Sequence, residues 1–253
     1  MIGLLAGLSG IGEALTPGGV RLLSADLPSG RHDEVWRDLL GRHPATGWYP
    51  VLGPDAAMAA DRAGRYPADA QGPAALTAAL AVDPAERFDQ LRQTALDELL
   101  AESDEEGAAY WNAVYDPVRV AAGLNGLTGP GPGLRRYTVA YPPTSVLLVP
   151  AAAGHEVPVL VPGLIQPPNV DLWPADHLVV LRHWHRHHGA ELYYAAGSQL
   201  ELAVAKPPVT TDDIARCTVE QLVYCDDLSQ ILGESGSIAR KQVRGDHWSF
   251  WWD

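Results

Sequence analysis

The sequence predicts an α+β protein in which an irregular N-terminal α/β region packs on a C-terminal ferredoxin-like domain of order β-α-β-β-α-β. Three observations carry that expectation. Helix patterns open at Pro174 and, through Thr210, at Thr211, each with its own N-terminal signal. Between them, residues on either side of Gly197-Ser198 form a hairpin pattern whose second arm alternates polar and apolar side chains. The chain then closes on His247-Trp248-Ser249-Phe250-Trp251-Trp252-Asp253, aromatic bulk that a frayed terminus would not carry.

In chain order, residues 3–15 read as a short, glycine-weakened helix, closed by Thr16-Pro17-Gly18-Gly19 and followed by a strand through Val20–Leu23. Val35, Trp36, Leu39 and Leu40 lie at helical spacing in His32–Leu40, with Gly41 as the expected stop. Trp48–Leu52 reads as a strand near an edge, because Pro50 cannot donate to a ladder. Residues 53–82 are rich in Ala, Gly and Pro and weakly patterned. Asp83-Pro84-Ala85-Glu86 then opens a helix whose core face is Phe88, Leu91, Ala95 and Leu99. The acidic run Asp97, Glu98, Glu102, Asp104, Glu105 and Glu106 reads as a solvated face. Gly123–Gly133, dense in Gly and Pro, divides the chain into regions 1–133 and 134–253.

Beyond that boundary Tyr137–Ala140, Ser145–Val149 and Val157–Leu164 read as strands. Pro174 opens a helix that runs to His188 and stops at Gly189, with core stripe Leu178, Leu181 and Trp184. The second C-terminal helix buries Ile214, Cys217, Thr218 and Leu222. At a period of two, Trp248, Phe250 and Trp252 face one side of the last strand and Trp251 the other, which predicts a central strand covered on both faces.

Composition narrows the function. The 253 residues carry 31 Asp plus Glu against 18 Lys plus Arg, a net charge of −13. A field of that sign repels phosphate backbones and anionic lipid, which argues against nucleic acid and membrane and favours a basic protein partner. Two cysteines, Cys217 and Cys225, make no disulfide framework and suit a reducing cytoplasm. The apolar start lacks Lys or Arg before Arg21 and contains Glu13, unlike an export signal. No apolar run reaches the ~20 residues that cross a bilayer.

Four patterns resemble chemistry and carry little. Gly7-Leu8-Ser9-Gly10-Ile11-Gly12 lacks the preceding buried strand that a dinucleotide turn needs, so no cofactor is expected. His183, His185, His187 and His188 are dense, and His183 shares a helix face with His187, but no carboxylate lies between them. They read as a cationic helix end and no metal is assigned. Cys217 sits on an apolar stripe, and Asp226 with Asp227 would raise rather than lower the Cys225 thiol pKa. His247 is a general-base candidate without an identifiable nucleophile.

The C-terminal part resembles the uncharacterised bacterial family called domain of unknown function 4253. The matching motifs are Pro167-Pro168-Asn169, Trp184, Gly189-Ala190-Glu191-Leu192, Lys206-Pro207-Pro208, Tyr224-Cys225-Asp226-Asp227 and Phe250-Trp251-Trp252-Asp253, in order over residues 155–253. Trp36–Leu52, with His43-Pro44-Ala45-Thr46-Gly47-Trp48, is similar to the region that often precedes this domain. The resemblance implies a soluble α+β protein and supplies no reaction, cofactor or catalytic set.

The expectation is a binding module, immunity-like or regulatory, rather than an enzyme. The alternative is an enzyme of unknown reaction with a small-molecule cleft between the two halves, where Asn169, Trp173, Asp226, His247, Trp251 and Asp253 are the polar and aromatic contacts. Oligomeric state has no sequence signature.

Overall fold

The computed structural model describes residues 5–101, 103–131, 143–166 and 172–253. Its elements are β1 Gly12–Leu15, β2 Arg21–Asp26, α1 His32–Thr46, β3 Tyr49–Gly53, α2 Ala56–Ala63, α3 Gly72–Leu80, α4 Pro84–Ala101, α5 Glu105–Val114 and α6 Pro117–Gly123. They continue with β4 Ser145–Val149, α7 Val157–Leu160, α8 Pro174–His188, β5 Ala190–Ala196, β6 Gln199–Val204, α9 Thr211–Tyr224, α10 Leu228–Leu232, α11 Ser235–Ile238 and β7 His247–Trp251. The mixture is α+β, as expected. Tyr137–Ala140, Glu102 and Asn169 lie outside the described residues.

The seven strands among the described residues form one sheet in the order β1-β2-β4-β3-β5-β6-β7, antiparallel throughout except where β3 meets β5. From β4 the chain follows the split β-α-β-β-α-β order, but the four strands do not pair as a ferredoxin-like sheet. β3, drawn from before residue 133, lies between β4 and β5 and supplies the parallel neighbour of β5.

Local chemistry explains where the elements depart from the sequence reading. Residues 3–15 do not form a helix among the described positions. Gly7 and Gly10 adopt φ of 89° and 60°, and a Cβ at Gly10 would stand 2.1 Å from the Asp26 carboxylate, so this stretch turns and enters β1. α1 runs through Gly41 and stops at Gly47, whose φ of 70° turns its N–H back to His43 O at 2.8 Å. β3 is central, not near an edge. Pro50 O accepts the Trp36 indole N–H at 3.1 Å, so both backbone groups of Pro50 face away from β4, toward a partner strand that β3 meets at Leu52.

Val157–Leu164 is likewise a correction. Val161 N–H bonds Val157 O at 2.8 Å and the run winds into α7. A short, fully apolar run has no period to separate strand from buried helix. The 53–82 stretch holds α2 and α3, tied together by Gln71, whose amide donates to Ala63 O, Tyr66 O and Pro67 O while its oxygen accepts from Gly18 N.

Two layers cover the sheet. On one face α8 and α9 lay Trp184 and Tyr224 on Trp248, Phe250 and Trp252, all five at 0% exposure. Trp184 stacks on Phe250 at 5.3 Å and meets Trp248 edge-on at 5.5 Å. On the other face α1 lays Trp36 and Leu39 on Leu23, Leu52, Val146 and Leu148. A bulge between Leu192 and Tyr194 lets the consecutive Tyr193 and Tyr194 both join that second cluster.

β7 is therefore an edge strand rather than the central one expected, pairing with β6 alone in the sheet order. Its buried face holds Trp248, Phe250 and Trp252, while Trp251 stays half-buried on the other. The helices α3 and α4 are pinned to α8 by polar contacts. Arg182 donates to Leu80 O and Val82 O, and Arg87 pairs with Asp176 at 2.7 Å. No helix among the described residues is long and apolar enough to cross a membrane.

Candidate functional site

The helix α9 ends because Cys225 turns extended, with φ −151° and ψ 91°, and the three residues after Tyr224 fold back on the chain end. The Cys225 thiol donates to Trp251 O at 3.2 Å, and Asp227 accepts from Gln230 through one oxygen and from Asp253 N through the other, at 2.9 Å for the latter. This clamp fixes Asp226. Its Oδ1 accepts from Asp227 N at 3.0 Å, and no ion pair with a cation is formed among the described residues.

Asp226 opens into a cleft of about 370 Å³ between the α4–α5 helices and the α9–α11 segment. Tyr110, Trp111 and Tyr115 from the α5 side wall it, and Glu234 from the α10–α11 connection adds a second acid. Tyr110 is 50% exposed and meets Trp111 edge-on at 4.9 Å. As a residue Asp226 is reached by solvent, yet the protein around its carboxyl raises its pKa by desolvation, and the Asp227 charge adds to the rise. Burial first, then the Asp226 charge, likewise pushes up the Tyr115 phenol. The cleft thus sets an acid without a cation partner beside aromatic side chains.

Of the residues singled out from sequence, Asp226, Trp251 and Asp253 converge on the Cys225–Asp227 clamp. Trp173 opens α8, 56% exposed, with its backbone N–H on Asp176 Oδ2 at 2.9 Å. His247 stands apart at the far end of β7, buried against Glu201 with Nε2 to Oε2 at 2.9 Å. That pair is shut from solvent, the side chains being 4% and 2% exposed.

The histidines of α8 take separate partners, although the His183 and His187 rings lie 4.2 Å apart. His183 meets Glu220 at 3.2 Å, His185 meets Glu191 at 3.2 Å, His187 turns to His183 O and His188 to Lys206 O. No group of three metal-donor side chains among the described residues could hold an ion. Gly7–Gly12 leads into a strand and not a helix. Burial pushes the Cys217 and Cys225 thiols up, away from nucleophilic character.

Sequence reasoning passed over the aromatic wall of the cleft, whose one signal was Tyr110-Trp111 within an otherwise acidic and small-residue stretch. It also missed a second polar cluster, where Glu191 accepts from Tyr49 at 2.7 Å and contacts His185, whose ring lies 5.4 Å from that of His155. Burial raises the Glu191 carboxyl, but the His185 and Tyr49 hydrogen bonds outweigh it and leave it below its ordinary value. These residues are scattered from 49 to 191, so no local motif joins them.

No curated protein matches this chain, and no solved structure does. The Cys225–Asp227 clamp, the hairpin and the aromatic edge all fall within residues 145–253, which match the model of the family described as Domain of unknown function (DUF4253).

Proposed function

We propose that the chain is a recognition module for a basic protein partner, and that the Asp226 cleft receives one lysine or arginine side chain of that partner. The observation that carries the reading is the pairing of an uncompensated acid with aromatic walls in one cleft. The overall charge of −13 supports it, because such a field speeds the approach of a basic partner. The alternative of a small-molecule enzyme shares the cleft but has less behind it, since both thiols are buried and His247 is sealed in its pair with Glu201.

The test is a titration with a short fluorescent peptide bearing lysine. Binding should weaken as salt rises, and Asp226→Asn should weaken it roughly tenfold. Unchanged affinity in the variant removes the cleft from the interaction. Equal competition by a simple alkylammonium ion would favour the small-molecule alternative.

A further inference from the structure

The cleft does not end at Glu234. A second cavity of about 290 Å³ shares Tyr110, Val114, Glu234 and Ser235 with the first, so the two form one groove between α5–α6 and the α10–α11 segment. Its far part is lined by Arg119 and Arg240. Arg119 is 63% exposed, with its nearest carboxylate, Asp116, at the long separation of 3.6 Å. Arg240 gives one N–H to Gly236 O at 2.8 Å, a small share of the five donors of a guanidinium. No ion pair joins Glu234 to either arginine among the described residues.

The groove is thus polarised, with Asp226 at one end, Arg119 and Arg240 at the other and Tyr110 and Glu234 shared between them. Building on the cation-receptor reading of the first cleft, we infer that the partner segment is bipolar: a peptide stretch carrying a basic side chain for the Asp226 end and a carboxylate for the Arg119–Arg240 end. The arginines turn the groove against uniformly basic segments, because a second cation placed there meets like charge. A guanidinium pair is well suited to grip a carboxylate through parallel N–H donors. The net charge acts in the opposite sense, since by itself it draws the most positive peptide most strongly.

Those two tendencies make opposite predictions, which a set of short labelled peptides separates by fluorescence anisotropy. The set holds a lysine-only peptide, a doubly basic peptide, and peptides with lysine and glutamate in both orders. One order of the bipolar peptide should bind roughly tenfold tighter than the doubly basic one. The Arg119→Glu/Arg240→Glu double variant should invert that ranking, and Arg119→Gln/Arg240→Gln should erase the gap without adding new acid. Both positions are exposed, so thermal melts of the variants should match the parent. If the doubly basic peptide binds tightest to the parent protein, the bipolar inference is overturned while the cation reading stands. If no lysine-bearing peptide binds, both fall together.

Discussion

Asp226 and Glu201 are two acids in the C-terminal part that the fold treats in opposite ways. Glu201 projects from β6 into the protein, 2% exposed, and meets His247 across β7 at 2.9 Å. Its partner is in place, though its Oε1 has no hydrogen bond. Asp226 is held by a backbone clamp at the mouth of a cleft and pairs with no cation among the described residues. A buried acid with its partner ties two strands together, whereas an accessible acid without one leaves its charge to solvent.

The comparison is easiest to break at Glu201. Glu201→Ala removes the acceptor from a histidine that is itself 4% exposed and leaves a void between β6 and β7. It should cost about 3–5 kcal/mol in urea unfolding. A loss under about 1 kcal/mol would mean the pair is incidental and would reopen His247 as a functional residue.

Next in size is the acid limb of stability. His177 is fully buried, its Nδ1 on Tyr224 Oη at 2.6 Å, and burial lowers its pKa to about 3. His155 is lowered to about 4 by burial, with His185 and Arg182 adding to it. In the unfolded chain both return to an ordinary histidine value near 6.5. Between that value and the depressed ones the unfolded state binds more protons, so stability is fully present above pH 6.5 and is lost as pH falls toward 4 and then 3. Each tenfold loss of proton affinity on folding corresponds to about 1.4 kcal/mol. The urea midpoint should drop between about pH 7 and about pH 4.5, and His177→Gln should reduce that drop. A variant with the parent's full pH slope would assign the acid limb to other groups.

The same contrast explains what could be read from the residues alone. α8 was legible to its ends because Pro174 and Gly189 are local signals, and α9 because Thr210 caps it by accepting from Asp213 N at 3.2 Å. The hairpin was legible because Gly197, with φ of 64°, sits where the strand pattern breaks. Position in the sheet was not. Pro50 reads as an edge residue but sits in a strand between β4 and β5, which meets β5 at Leu52, and its carbonyl takes the indole N–H of Trp36, 14 residues earlier. The aromatic chain end reads as central but is an edge, because face burial of Trp248 and Phe250 says nothing about how many strands pair alongside them. The Asp226 clamp lay in a recognisable motif, but its aromatic wall comes from α5, more than 100 residues away, and that packing has no local trace.

The two acids also differ in the sign of their effect on stability. The Asp226 carboxyl is raised above its ordinary value by desolvation, with the Asp227 charge second, so the folded protein disfavours the ionised form relative to the unfolded chain. A raised acid lends stability below its unfolded pKa and loses that contribution as pH rises through the folded one. At neutral pH the ionised Asp226 is therefore a burden on the fold, and Asp226→Asn should stabilise where Glu201→Ala destabilises. Asp226 is open to solvent, so screening limits the gain to about 0.5 kcal/mol. The gain should be seen as a slightly higher melting temperature at neutral pH that disappears as the pH falls below the ordinary aspartate range. A residue whose removal helps the fold while weakening peptide binding is kept for recognition. If Asp226→Asn lowers the melting temperature at neutral pH, the acid is part of the clamp and the two sites are of one kind.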